Sequence, residues 1–328
     1  MKILMSCTHR YPANGGLGVG LQARSRPSLS GQHLHDLMVK GMASRGHEVY
    51  YHLPEGIDQE LPDGVVWVPK PFKDIDIYHS YTGTFNEVFE WMGEAKIPFV
   101  KTCHIDRELV GGTRKEANKQ WIYVSKSLAK LYNSERYIHC GLDPEEYIYS
   151  ETKEDYFLII SSMERYEEKG LDIALKLSKK RNFKLVVAGT AKNAATIAKV
   201  KAMCKTYQAD YVGDVRGMAK AELYAGAKAI LFPTRQEESF GLVMVEAMFS
   251  GTPVICSDKG ACPEIISPEV GFVCSNEADY LYAIDHVEDV LPKNCLAKAM
   301  KDYHYQRMAD EYLIEYEKEI SIGKSIFV

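Results

Sequence analysis

Residues 229–256 read Ala229-ILFPTRQEESFGLVMVEAMFSGTPVI-Cys256. The apolar run Ala229–Phe232 is too short for a helix, rich in strand formers, and is stopped by Pro233. Pro253–Cys256 is a second run of the same kind. Between them, from about Gly241 or Leu242, lies an apolar segment of helical length that ends at Ser250-Gly251. Strand, helix and strand in this order form a βαβ unit, whose strands pair in parallel with the helix crossing over one face.

The same alternation continues in both directions. In the first half the predicted strands are Lys2–Cys7, Glu48–Leu53, Val65–Val68, Ile75–His79, Phe99–His104, Trp121–Val124 and Tyr137–His139. In the second they are Phe157–Ser161, Phe183–Ala188, Asp210–Val212, Ala229–Phe232, Pro253–Cys256 and Phe272–Cys274. Short apolar strands alternating with amphipathic helices specify parallel sheets covered on both faces, an α/β class. At 328 residues the chain exceeds one core, and two Rossmann-like doubly wound domains fit its length. The turn-rich Gly141-Leu-Asp-Pro144 and the charged segment after it place the boundary near 150. This gives an N-terminal domain 1–150, a second domain 151–304, and a C-terminal helix and tail 305–328 that carries Met308, Tyr312, Leu313 and Tyr316 at helical spacing.

Composition narrows the function. With 46% hydrophobic and 26% charged residues the chain buries a core, and a net charge of −5 without a basic domain argues against nucleic acid. From Lys101 to Arg136 eight basic residues stand against four acidic ones, which suits either a solvated helix face or an anionic acceptor or lipid surface. No apolar run is long enough to span a bilayer, although peripheral membrane contact stays open. The eight cysteines include no CxxC pair and sit in apolar runs, as buried thiols in a reducing cytoplasm do.

Chemistry concentrates around Glu238 and Glu246. A helix starting near Gly241 leaves Glu238 in the preceding loop and Glu246 about one turn inside, with free backbone N–H groups between them. Helix amides and dipole favour a diphosphate, and an ionised carboxylate accepts hydrogen bonds from a vicinal diol. Arg165-Tyr-Glu-Glu-Lys169-Gly170 follows the strand Phe157–Ser161 and places two cations at a strand end, where they can neutralise a leaving pyrophosphate. His104 ends the strand that begins at Phe99, a position where ligands sit in α/β sheets. Gly15-Gly16-Leu17-Gly18, in the long first loop, allows close backbone approach to a phosphate or sugar, or serves as a flexible loop.

The motif ESFGLVMVEAM–SGTPVI resembles that of the retaining glycosyltransferases of GT-B fold, family 4 (glycosyl transferases group 1). That resemblance implies two Rossmann-like domains facing across a cleft. It places Glu246 on the nucleotide ribose, Glu238 on the donor sugar's hydroxyls, and the backbone of Phe240, Gly241 and Leu242 against the diphosphate, with Ser239 among the donor-binding residues. Arg165 and Lys169 then hold the phosphates, His104 touches the donor sugar, and Gly16 or Gly31 approaches the donor. His104, Glu238, Arg165 and Lys169 form the catalytic set. In the family four or five residues separate the Arg from the Lys. Here three do, and Glu164 occupies the commoner position.

Matches at Arg45–Val49, His139–Asp143, Val187–Gly189 and Gly260–Glu264 extend the resemblance along the chain. Ala261 replaces the second glycine of the usual pair, and Pro263 and Glu264 are predicted to open a helix. Asp74-Ile-Asp76 reads as solvated strand-end carboxylates, and His33 and His35 project from different parts of a helix. No metal and no cofactor are expected.

The expected function is transfer of a sugar, with retention, from a nucleotide-diphosphate sugar to an acceptor hydroxyl, with a UDP-sugar as the default donor and the acceptor unidentified. A nucleotide-sugar epimerase of the same architecture and an inactive sugar-binding partner subunit are the alternatives. A nicotinamide oxidoreductase is disfavoured, because no GxGxxG follows a strand with an acidic residue about twenty positions on.

Overall fold

The structure is a computed structural model that describes residues 1–13, 30–80, 92–110 and 119–326. The chain divides into two compact units, and among the described residues each contains one six-stranded sheet. Unit 1 takes the described residues from Met1 to Asp143 and those from Tyr303 onward, and unit 2 takes Pro144–Asp302. The first division thus falls inside the turn-rich Gly141–Pro144 stretch rather than near 150. Its cause is local hydrogen bonding. The Leu142 amide donates to Tyr303 O at 2.8 Å and Leu142 O accepts from the Tyr305 amide at 3.0 Å, whereas the Ser150 amide donates to Ser250 O of unit 2 at 3.3 Å.

Unit 1 contains β1 (Lys2–Ser6), α1 (Ser30–Ser44), β2 (Glu48–His52), β3 (Val65–Val68), β4 (Ile77–Ser80), β5 (Phe99–Cys103), β6 (Trp121–Tyr123) and α2 (Lys126–Leu131). Its strand order is β3-β2-β1-β4-β5-β6, with every pair parallel. Burial follows position in the sheet. The central β4 is buried at all four residues, while the edge strand β3 leaves Val66 and Trp67 exposed. The predicted strand Tyr137–His139 forms only an isolated bridge from Tyr137 to Tyr123. The His139 carbonyl accepts from Arg307 rather than from a strand neighbour.

Unit 2 contains β7 (Phe157–Ile160), α3 (Leu171–Arg181), β8 (Leu185–Ala188), α4 (Ala194–Tyr207), β9 (Asp210–Gly213), α5 (Gly217–Gly226), β10 (Ala229–Phe232), α6 (Leu242–Phe249), β11 (Val254–Ser257), α7 (Cys262–Ile265), β12 (Gly271–Cys274), α8 (Glu277–His286) and α9 (Pro292–Asp302). The order is β12-β11-β10-β7-β8-β9, again all parallel. The strands β7, β8, β10 and β11 are buried at every residue, which is why they read as unbroken apolar runs.

The last helix, α10 (Tyr305–Ile326), belongs to unit 1. It packs on α1 at Gly41, where an added Cβ would come within 2.6 Å of Ala309 Cβ. Arg45 clamps Asp310 through two bonds of 2.7 and 2.8 Å, and Arg136 binds Glu315 at 2.7 Å. Among the described residues no helix is long and apolar enough to cross a membrane.

Candidate functional site

In unit 2 the chain order reverses between β7 and β10, which lie side by side at the middle of the sheet. Ligands of open parallel sheets lodge beyond the strand carboxyl ends at such a switch point. Two loops leave the sheet there. The first follows β7, makes a 3-10 turn over Met163–Arg165, and enters α3 through Gly170 at φ 75°. A Cβ on Gly170 would stand 2.0 Å from Pro233 O, so glycine is what lets this loop lie against the second one.

The second loop follows β10 and turns into α6 at Gly241, whose φ is 90°. The N-cap glycine offers α6 no side-chain bond, and the Met244 amide donates to Gly241 O at 3.0 Å; the positive end of the helix dipole favours an anion here. The loop is propped by the segment after β11. Gly260, at φ 57°, is so close that a Cβ would meet the Glu238 amide nitrogen at 2.2 Å. The Ala261 amide donates to Glu238 O at 2.9 Å, and the Gly260 amide donates to Glu237 Oε2 at 2.8 Å. Pro263 and Glu264 then open α7, with the proline in its first turn.

Glu238 and Lys169 meet across the two loops, Nζ to Oε2 at 2.5 Å, with only 16% of the lysine and 15% of the carboxylate side chain exposed. The ammonium also sits 5.4 Å from the centroid of Phe232. Arg165 is half-buried, and its guanidinium makes no ion pair among the described residues; its carbonyl accepts from the Lys169 amide at 2.9 Å. Glu164, in the position where the commoner family spacing puts the arginine, accepts from the Lys192 amide and, at 3.1 Å, from the Asn193 amide. Its charge is thereby used to anchor the loop before α4.

Glu246 is buried within α6, and both of its oxygens are engaged. Oε1 accepts from Lys220 Nζ and Oε2 from the Tyr224 hydroxyl, each at 2.6 Å. Burial, and then Glu246 itself, pushes the Tyr224 phenol far above its ordinary range, so it donates. Neither partner was anticipated from the sequence. The available signal was their spacing of four on one helix face, together with a carboxylate in an apolar run that needs a counterpart. A carboxylate has about four lone-pair positions, so Glu246 can still accept from a diol.

His104 lies in unit 1, directly after β5. Its ring packs edge-on to His35 at 5.6 Å, and His35 lies 5.1 Å from His79. Burial lowers His104 to about 4, which leaves the imidazole neutral at neutral pH. His79 bonds Thr102 Oγ1 at 2.7 Å and the hydroxyl of Tyr316. Gly31 stands in the first turn of α1, and Gly16 lies outside the described residues. Asp74 and Asp76 both bind Lys2, one through its ammonium at 2.7 Å and the other through its amide at 2.8 Å.

Loops from adjacent central strands thus bring a cation pair, two carboxylates and an uncapped helix start to one end of the unit 2 sheet. Residues 145–307 match the family of glycosyl transferases group 1. This stretch is a group 1 glycosyl transferase domain. An uncharacterized glycosyltransferase of Methanocaldococcus jannaschii, MJ1607, is 26% identical to the chain over 164 residues, which are 46% of this chain and 42% of that protein. The chain matches less than half the length of each of the first curated relatives.

Solved structures align over nearly the whole chain. AviGT4, a glycosyltransferase involved in avilamycin A biosynthesis, superposes with a TM-score of 0.74 at 19% identity, covering 98% of both chains. Anabaena Alr3699/HepE in complex with UDP-glucose superposes with a TM-score of 0.68 at 14% identity, covering 97% of this chain and 100% of that one. The chain therefore has the GT-B architecture of two parallel-sheet units.

Proposed function

We propose that this chain is a retaining, metal-independent glycosyltransferase that moves a sugar from a nucleotide-diphosphate sugar to an acceptor hydroxyl. The observation that carries the reading is the Glu238–Gly241 loop, which sets an ion-paired carboxylate and lysine beside the uncapped start of α6. Lys169, Arg165 and the α6 amides bind the diphosphate and take up the charge that grows on it as the glycosidic bond breaks. With two cations present, the leaving group is neutralised without a metal. Glu246 accepts from the ribose diol, and Glu238 accepts from sugar hydroxyls as Lys169 turns to the phosphates. The neutral His104 imidazole offers a hydrogen bond to a sugar hydroxyl.

Retention rests on the motif resemblance, and the UDP-glucose held by the Anabaena protein supports a uridine donor. The test is a mass-spectrometric screen of the purified chain against UDP-, GDP- and ADP-sugars with mixed acceptors. Formation of a glycoside, with nucleoside diphosphate released only when an acceptor is present, is the expected result. An altered donor without acceptor consumption marks an epimerase instead, and no donor turnover by any pairing contradicts the reading.

A further inference from the structure

In unit 1 the order of the strands reverses between β1 and β4, and β1 delivers Thr8–Ala13 at its carboxyl end. His9 lies there with 5% of its surface exposed. Its Nε2 binds Asp36 Oδ1 at 2.9 Å. The same oxygen accepts from the Tyr51 hydroxyl at 2.8 Å, and Oδ2 accepts from the Ala13 amide at 2.7 Å. An ionised carboxylate only accepts, so Nε2 carries the hydrogen and, in the neutral ring, Nδ1 carries a lone pair. That Nδ1 is buried and has no donor among the described residues.

The ring cannot relieve this by turning over, because Asp36 and an edge contact with Tyr51 at 6.0 Å hold it. Chain on both sides of His9 is also fixed. Gln32 donates to the Thr8 carbonyl, Arg10 pairs with Asp58, and Tyr11 exchanges backbone bonds with Gly56 and Asp58 at 3.2 and 2.8 Å. Leaving a buried acceptor unmet is destabilising, so a rigid one at a switch point calls for a donor brought by a ligand or an enclosed water.

We infer that unit 1 carries a hydroxyl-binding site at the end of β1, in which His9 Nδ1 accepts the hydrogen bond of a sugar or polyol hydroxyl. Within the proposed function, on which this assignment rests, that hydroxyl belongs to the acceptor. Asp36 is the positioning residue, since it fixes which ring nitrogen is bare. Asp36→Asn keeps the shape but gives the side chain an N–H donor, which allows the ring to present Nδ1–H instead.

The test is ¹⁵N NMR of the histidine rings in the full chain, titrated with methyl glycosides of glucose, galactose and mannose and with glycerol. Wild type is expected to show a bare His9 Nδ1 whose resonance moves with at least one probe. In Asp36→Asn that response is lost, the probe binds about threefold to tenfold more weakly, as for one lost hydrogen bond, and UDP affinity measured by calorimetry stays within about twofold. A resonance that moves with no probe, or an enclosed water as the only partner, overturns the assignment. So does an equal loss of UDP affinity in Asp36→Asn. A glycoside response in a chain that binds no nucleotide upholds the site and overturns the donor reading instead.

Discussion

Lys169 and Glu238, 69 residues apart in the sequence, bring Nζ and Oε2 to 2.5 Å in a largely buried setting. They form an ion pair, so the affinity of a diphosphate for the lysine and the freedom of the carboxylate to bind hydroxyls are linked. Lys169→Met is expected to lower sugar transfer by about a hundredfold or more, the scale of losing a transition-state charge partner. Glu238→Gln keeps the shape and lowers kcat more than it weakens nucleotide binding. Steady-state kinetics beside nucleotide calorimetry checks both. Unchanged turnover in Lys169→Met contradicts the assignment.

Gly260→Ala tests the prop beneath that carboxylate. Gly213, at φ 77°, has nothing within 4 Å of where a Cβ would sit, whereas at Gly260 the Cβ would strike the Glu238 backbone. Gly213→Ala therefore isolates the left-handed backbone cost of about 1–3 kcal/mol. Gly260→Ala adds displacement of Glu238. Thermal melts are expected to fall in both, but only Gly260→Ala is expected to lose transfer activity at a temperature where both are folded.

Most of the fold was legible because central parallel strands are buried on both faces and appear as apolar runs bounded by glycine and proline. Tyr137–His139 was misread because three residues of strand-forming type do not specify a ladder partner; Arg307, far along the chain, takes the His139 carbonyl. The site was half legible. Glu238, Lys169 and Gly241 announce themselves through charge and glycine at strand and helix ends. Lys220 and Tyr224 look like any residues on an amphipathic helix until β10 and α6 bring Glu246 against them. The His9–Asp36 pair was hidden because a 27-residue separation carries no local pattern.

Tyr224→Phe removes one of the two donors to the buried Glu246 carboxylate. It is expected to destabilise unit 2 by about 1–3 kcal/mol and to weaken UDP binding, because the carboxylate loses its fixed orientation. Lys220→Met acts on the other oxygen. A double-mutant cycle measured by urea melts is expected to show coupling between the two, and strict additivity contradicts a shared role.

Acid is expected to loosen unit 1. Burial lowers His104 from 6.5 to about 4 and His79 from 6.5 to about 3, and it lowers His35 well below its ordinary value. The unfolded chain takes up these protons near 6.5 while the folded chain does not. Stability from the neutral cluster is therefore complete above that pH and declines as pH falls toward the folded values. All three tryptophans, Trp67, Trp91 and Trp121, precede Asp143, so their fluorescence reports on unit 1. Urea melts by this signal are expected to shift to lower midpoints from about pH 7 to about pH 5, and less so in His79→Phe. A midpoint independent of pH contradicts the account.

In the proposed function the start of α6, Glu238 and Glu246 hold a nucleoside diphosphate. The most direct measurement is calorimetric titration of UDP into the wild-type chain and into Glu246→Ala. Saturable binding to the wild type is expected, with a loss of about tenfold or more in the variant and the fold of both verified by circular dichroism. Equal affinity in the two proteins would contradict it.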